Sequence, residues 1–208
     1  MISLSDAVFD TIESKILTGE YAVGTILTEN ALSLSLSVSR TPIREAIKRL
    51  EQEDLVKETS KGHVVVGVTK KDIVDIYEIR SKLEGEATAR CAENISDEAL
   101  KRLEEIIELQ EFYTARGEAE KIKSVDSEFH LIIYNNCGSA VYASILSALH
   151  NKVQLFRKQS VSVGARAQKA AEEHRGILGA LKKRDAALAE ELALKHIENA
   201  KKNLTGEK

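Results

Sequence analysis

Residues 39–50, SRTPIREAIKRL, constrain the fold more than any other stretch. Plotted at about 100° per residue, Ile43, Ala46, Ile47 and Leu50 form one apolar stripe. Arg40, Arg44 and Lys48 fall on the opposite side, with Thr41 and Glu45 beside them. Ser39 is a residue type that caps helices, and Pro42 sits in the first turn, where a missing N–H leaves no helical bond unmade. A short helix anchored on one face and lined with Arg, Thr and Lys on the other suits the major groove of DNA. The plain alternative is a solvated basic face, and the flanks weigh against it.

Upstream, Thr28–Leu36 (TENALSLSL) reads as a second short helix, joined to the first stretch by a tight Ser37-Val38-Ser39 turn. A further helix is expected over Leu4–Leu17, with Ala7, Val8, Ile12 and Ile16 inward. Downstream, Leu55–Val68 places β-branched residues on both sides of Ser60-Lys61-Gly62, a hairpin signal. The sum is a winged helix-turn-helix. LTGEYAVGTIL at 17–27, VSRTPIREAIKRLE at 38–51 and the glycine-tipped wing resemble the N-terminal domain of GntR-type bacterial transcription regulators. The family usually has Gly where Ser37 stands, and many relatives carry a basic residue at the place of Asn30. The resemblance implies that Arg40, Thr41 and Arg44 enter the major groove. Lys48 and Arg49 are expected nearer the backbone, with Lys61 and Gly62 at the wing tip.

Charge complicates the DNA reading. Residues 1–69 hold seven Lys/Arg against ten Asp/Glu, so the positive charge is local to the helix and the wing. A single copy with so few cations binds DNA weakly, whereas two half-sites on a dimer double the phosphate contacts. A homodimer on a double-stranded operator is therefore expected. No stretch approaches the ~20 apolar residues of a membrane span. The start, MISLSDAVFD, lacks the basic and apolar segments of a secretory signal. Cys91 and Cys137 have no partner spacing and read as reduced core thiols. No membrane partner and a cytoplasmic location are expected.

From residue 70 the strand signals stop. Helices are expected at about 70–93, 96–116, 118–135, 139–161, 165–183 and 185–203, after a polar hinge at 69–72. The fold class is thus mainly α. A winged helix-turn-helix over 1–69, with a small hairpin wing, precedes an all-α antiparallel bundle over 70–208. Polar residues stand on the inward stripes of that bundle. Asp126 and His130 are four apart on one helix, His174 shares a stripe with Ala170, Ile177 and Leu181, and His196 shares one with Leu188 and Leu192. Four such groups are costly to bury without partners, and one divalent cation satisfies all four. His63 belongs to the wing, and His150 ends a helical stretch outside the pattern, so neither is placed in the site.

IYEIRSKLEGEATARCA at 76–92, VDSEFHLIIYNNCGS at 125–139 and EEHRGILGALKKRDAALAEELALKHI at 172–197 are similar to the FCD effector-binding domain of the FadR branch of GntR regulators. That resemblance implies a metal at Asp126, His130, His174 and His196, commonly zinc or nickel. Manganese or iron would also suit such donors. A bound ion of this kind keeps one or two open positions for a small organic acid. Arg80 and Glu84 lie mid-stripe and face inward, either gripping an effector carboxylate or pairing with each other; Tyr134 and Arg157 are further pocket candidates. The leading reading is an effector-responsive transcription regulator, in this family most often a repressor, and not an enzyme. The rivals are a metal-dependent hydrolase and a DNA-binding regulator with a purely structural metal.

Overall fold

The computed structural model describes residues 3–158 and 164–206. The chain divides into two compact units, Met1–Thr69 and Lys70–Lys208. In the first, α1 (Leu4–Leu17) opens on a capping box, in which the Ser3 hydroxyl accepts from the Asp6 N–H and the Asp6 side chain accepts from the Ser3 N–H. It buries Val8, Phe9, Ile12 and Ile16, while Ala7, expected inward, is exposed. Helix α2 (Glu29–Leu36) is capped by the Thr28 hydroxyl, which accepts from the Ala31 N–H at 3.2 Å. Helix α3 (Arg40–Gln52) buries Pro42, Ile43, Ala46, Ile47 and Leu50. Ser39 holds the extended backbone of an N-cap, yet its hydroxyl makes no cap bond, so the first turn of α3 is set by Pro42 and packing instead.

The turn between α2 and α3 passes through Ser37 at φ 55°, the left-handed region. A residue with a Cβ is strained there by about 1 kcal/mol. The wing is a three-stranded antiparallel sheet, order β1-β3-β2, built from β1 (Ile26–Leu27), β2 (Val56–Thr59) and β3 (Gly62–Val65). The hairpin β2–β3 matches the sequence reading. Strand β1 is an addition, too short to show any alternation. It pairs Ile26 with Val64 and Leu27 with His63. Gly62, expected at the wing tip, has a reason within the fold to be glycine. Its φ is 128°, and a Cβ there would sit 2.7 Å from the Leu27 carbonyl oxygen.

The second unit holds α4 (Lys70–Asn94), α5 (Asp97–Arg116), α6 (Ala119–Asn135), α7 (Ala140–Lys158), α8 (Gly164–Lys182) and α9 (Ala186–Thr205). Helix α4 already includes most of the expected 69–72 hinge, and the expected end of α7 at 161 falls outside the described residues. Helix α4 packs chiefly on α9 and also on α6, α7 and α8, while α5 packs on α6 and α8. The core is aliphatic and aromatic: Leu103, Ile106, Ile107, Phe129, Ile133, Leu146, Ile177 and Leu181 are all buried. Cys91 and Cys137 are buried and unbridged. Burial pushes the Cys91 thiol up to about 12, so it stays protonated and inert. No described helix is long and apolar enough to cross a membrane.

Two substitutions test the backbone reading of the first unit with opposite signs. Ser37→Gly should raise stability by up to about 1 kcal/mol, and Gly62→Ala should lower it by about 2 kcal/mol or more. Urea denaturation of the full chain measures both. A neutral Gly62→Ala would show that β1 does not pack on the wing glycine.

Candidate metal centre and DNA-reading helix

Along α3 the side chains of Arg40, Thr41, Arg44 and Lys48 are exposed, and Lys61 is exposed at the wing. Arg44 is not idle. Its Nε donates to both carboxylate oxygens of Glu29 on α2, at 2.8 and 2.9 Å. Arg49, expected near the DNA backbone, is part-exposed and lies against α1. Its guanidinium lies 3.9 Å from the centre of the Phe9 ring, and Nη1 donates to Asp6 Oδ1 at 2.6 Å. This arginine braces α1 against α3.

In the bundle, His130 on α6, His174 on α8 and His196 on α9 converge, with one nitrogen from each lying within 4.8 Å of the others. Each ring is held from behind. His130 Nδ1 lies 3.0 Å from Glu84 Oε1, His174 Nδ1 lies 2.8 Å from Gln110 Oε1, and His196 Nδ1 lies 2.8 Å from Glu173 Oε2. A carboxylate or amide oxygen only accepts, so each Nδ1 is placed to donate, and in a neutral ring that leaves Nε2 as the lone-pair nitrogen. His174 Nε2 and His196 Nε2 face each other at 3.4 Å. Burial, with the neighbouring imidazoles, holds His174 well below the ordinary histidine range. Burial also lowers His196, against the pull of Glu173. Neutral rings cannot share a proton between these nitrogens. Two bare lone pairs at that spacing repel, and a cation removes the repulsion. Ligand nitrogens about 2.0–2.1 Å from a tetrahedral ion stand roughly 3.3 Å apart, so the His174–His196 pair has the spacing of two ligands on one divalent metal. The acceptors behind the rings are the supports that metal-bound histidines need.

Asp126 lies beside the three rings, with Oδ1 4.0 Å from His174 Nε2. Its Oδ2 accepts from Arg157 Nη1 at 3.0 Å and Gln154 Nε2 at 3.2 Å. Burial opposes ionisation of Asp126. The Arg157 charge outweighs it and holds the carboxyl below its usual range. Glu173 is similar: the bonds from His196 and Arg166 overcome burial and bring it to about 2. A cavity of about 180 Å³ opens next to Asp126 and Gln110. Its wall carries Arg157, Arg166 and Lys123 beside Ile122, Ala167, Ala170 and Leu204. Among the described residues, Gln110 Nε2 and Arg166 Nε are buried without a hydrogen-bond partner.

Residues 4–66 match the gntR family of bacterial regulatory proteins, and residues 75–199 match the FCD domain. The chain belongs to the GntR family, in its FCD-containing form. The gluconate operon transcriptional repressor of Bacillus licheniformis is 30% identical over 155 residues, 69% of this chain and 64% of that protein. The chain therefore spans less than two thirds of that relative's length. The transcriptional regulator McbR of Escherichia coli is 28% identical over 149 residues, 71% of this chain and 67% of that protein. A solved structure of McbR/YncC from E. coli superposes with a TM-score of 0.71 at 24% identity, over 98% of both chains, and so shares the fold. The named relatives are transcription regulators, not enzymes.

Within this GntR chain the four residues read as effector contacts separate. Arg157 lines the cavity. Arg80, Glu84 and Tyr134 instead close on one another in the buried interior. Arg80 Nε donates to Glu84 Oε2 at 2.8 Å, and the Tyr134 hydroxyl donates to Glu84 Oε1 at 2.8 Å. The internal pairing of Arg80 with Glu84 is thus the arrangement present. Burial opposes the Glu84 charge, but Arg80 and His130 keep its carboxyl well below the ordinary range. Sequence reading missed Gln110, Glu173 and Arg166, whose roles need partners on other helices. It also set His150 aside, although His150 is buried and its Nε2 is 3.0 Å from Gln154 Nε2 and 3.2 Å from Ser127 Oγ. A histidine on the inward face of α7 was the available signal.

Truncating one partner of the Arg80–Glu84 pair strands the other charge in the interior. Arg80→Ala should cost about 3–5 kcal/mol. Chemical denaturation measures this. A loss below 1 kcal/mol would mean that water reaches Glu84.

Proposed function

We propose that this chain is a homodimeric, sequence-specific DNA-binding repressor whose operator affinity responds to a small organic acid bound at a metal site in the helical bundle. The observation that carries the reading is the set of three buried histidines with one nitrogen from each within 4.8 Å of the others, each Nδ1 held by an acceptor and the Nε2 atoms of His174 and His196 face to face. His130, His174 and His196 would hold the ion, with Asp126 Oδ1 the adjacent fourth donor. Zinc or nickel suits this donor set, and manganese or iron could occupy it according to availability. Once bound, the ion supplies a Lewis-acidic position that accepts a carboxylate. The neighbouring cavity favours the same ligand class. Arg157 and Arg166 supply cationic donors, Gln110 Nε2 has an unused N–H, and about 180 Å³ suits a small molecule.

At the other end of the chain, Arg40, Thr41 and Arg44 read base edges. Lys48 and Lys61 meet phosphate, and Arg49 braces α1. Residues 1–69 carry seven cations against ten acids, so two copies acting together supply the phosphate contacts that one lacks. The bundle, residues 70–208, carries dimerisation and sensing. An acid that binds one arrangement of the dimer more tightly than another shifts operator affinity by that difference. The working compartment is the cytoplasm.

Metal analysis of the untagged protein should find about one divalent ion per chain. The Asp126→Ala/His196→Ala variant should lose it. Stoichiometric metal in that variant would remove these residues from the ligand set. Arg44→Ala should weaken operator binding by ~1–3 kcal/mol. In thermal shift, short dicarboxylates should stabilise the metal-loaded parent and fail to stabilise Arg157→Ala. DNA affinity insensitive to every small acid tried would leave a purely structural metal.

A further inference from the structure

Glu29 is the first residue of α2, and its carboxylate stands among the cations of the DNA-reading face. Arg44 on α3 reaches it across the helix-turn-helix, and both oxygens accept from the same nitrogen, Nε, at 2.8 and 2.9 Å. A guanidinium is planar and rigid. Fixing Nε on a carboxylate fixes the plane of the whole fork. Among the described residues no hydrogen bond involves the two terminal amino groups of Arg44, and the side chain is 64% exposed. Those amino groups are the pair that can meet guanine O6 and N7 together. The bond from Arg44 lowers the Glu29 carboxyl below its ordinary value, and the charge of Arg40 acts in the same direction. Glu29 is therefore an anion on a surface expected to meet phosphate, where plain electrostatics would place a neutral or basic residue.

We propose that Glu29 is a specificity-determining positioning residue, which aims the Arg44 fork at a base edge and penalises binding to any duplex that offers only phosphate. The two effects have one origin. An exposed ion pair adds little to stability, so its consequence lies in what Arg44 is free to do. Released from Glu29, Arg44 swings to the nearest phosphate, and the lost negative charge strengthens sequence-independent contact. Specificity falls from both sides, as a device that acts against wrong partners requires.

This inference rests on the DNA-reading role proposed above. The test separates the two. Full-length parent, Glu29→Gln, Arg44→Ala and the double variant are presented with a random pool of duplexes. Each protein is then titrated against the duplex the parent enriches and against a scrambled one of equal length and salt. The parent should enrich a motif. Glu29→Gln should lower the ratio of specific to scrambled affinity by about tenfold, with scrambled binding unchanged or tighter and the melting temperature unmoved. In the Arg44→Ala background, Glu29→Gln should lower the ratio no further. A Glu29→Gln ratio equal to the parent's would overturn the proposal. So would an equal loss on both duplexes, or a hold on the enriched duplex that tightens as much as or more than on the scrambled one, which would make Glu29 a mask over Arg44. A parent that enriches nothing would overturn the DNA-reading role itself, and the inference with it.

Discussion

The bundle depends on the requirement that no charge be buried alone. Its interior holds Arg80, Glu84, Asp126, His130, His150, His174 and His196, each less than a tenth exposed. An uncompensated ion in such a place costs several kcal/mol. Compensation runs as a chain across helices. Arg80 on α4 neutralises Glu84, Glu84 accepts from Tyr134 and His130 on α6, Arg157 and Gln154 on α7 hold Asp126, and Glu173 on α8 holds His196 on α9. Every helix from α4 to α9 supplies a member, Gln110 standing for α5. The network is at once a constraint on how the helices pack and the support of three imidazole donors. Removing one member therefore disturbs both fold and site, and only metal content read alongside stability tells them apart.

The N-terminal unit uses its few cations differently. Of the three arginines in and around α3, Arg49 braces α1 through Phe9 and Asp6, Arg44 is committed through one nitrogen to Glu29, and Arg40 is exposed. An acidic domain can still meet DNA when its basic groups are spent selectively and when a second copy adds its own. In that arrangement charge supplies less of the affinity, and geometry at the base edges supplies more.

Much of the fold was legible because helix periodicity is a local property. The stripe Ile43, Ala46, Ile47, Leu50 predicts an anchored helix, and all four residues are buried. The inward placement of Asp126, His130, His174 and His196 followed from the same spacing, and all four are buried too. Strand β1 was not legible: two residues carry no alternation, and they become a strand only because β3 presents a free edge to them. The packing reason for glycine at Gly62 was not legible for a related cause. The sequence marks a turn, but the carbonyl of Leu27 that excludes a Cβ comes from a strand thirty-odd residues earlier.

Periodicity and motif chemistry by themselves determined the class of each half: an anchored basic helix beside a short wing, then a helical bundle with a carboxylate and histidines facing inward. They determine which side of a helix a residue occupies, because that depends only on 3.6 residues per turn. Tertiary structure alone decided what each polar group meets once inside. Whether Arg80 meets a ligand or Glu84, whether Arg157 belongs to the cavity wall, and which nitrogen of each histidine stays bare all depend on partners from other helices. Glu84, Gln110 and Glu173 select the tautomer of three rings that lie 46, 64 and 23 residues away along the chain. No local pattern encodes such distances, since they are set by packing six helices around one buried set of charges.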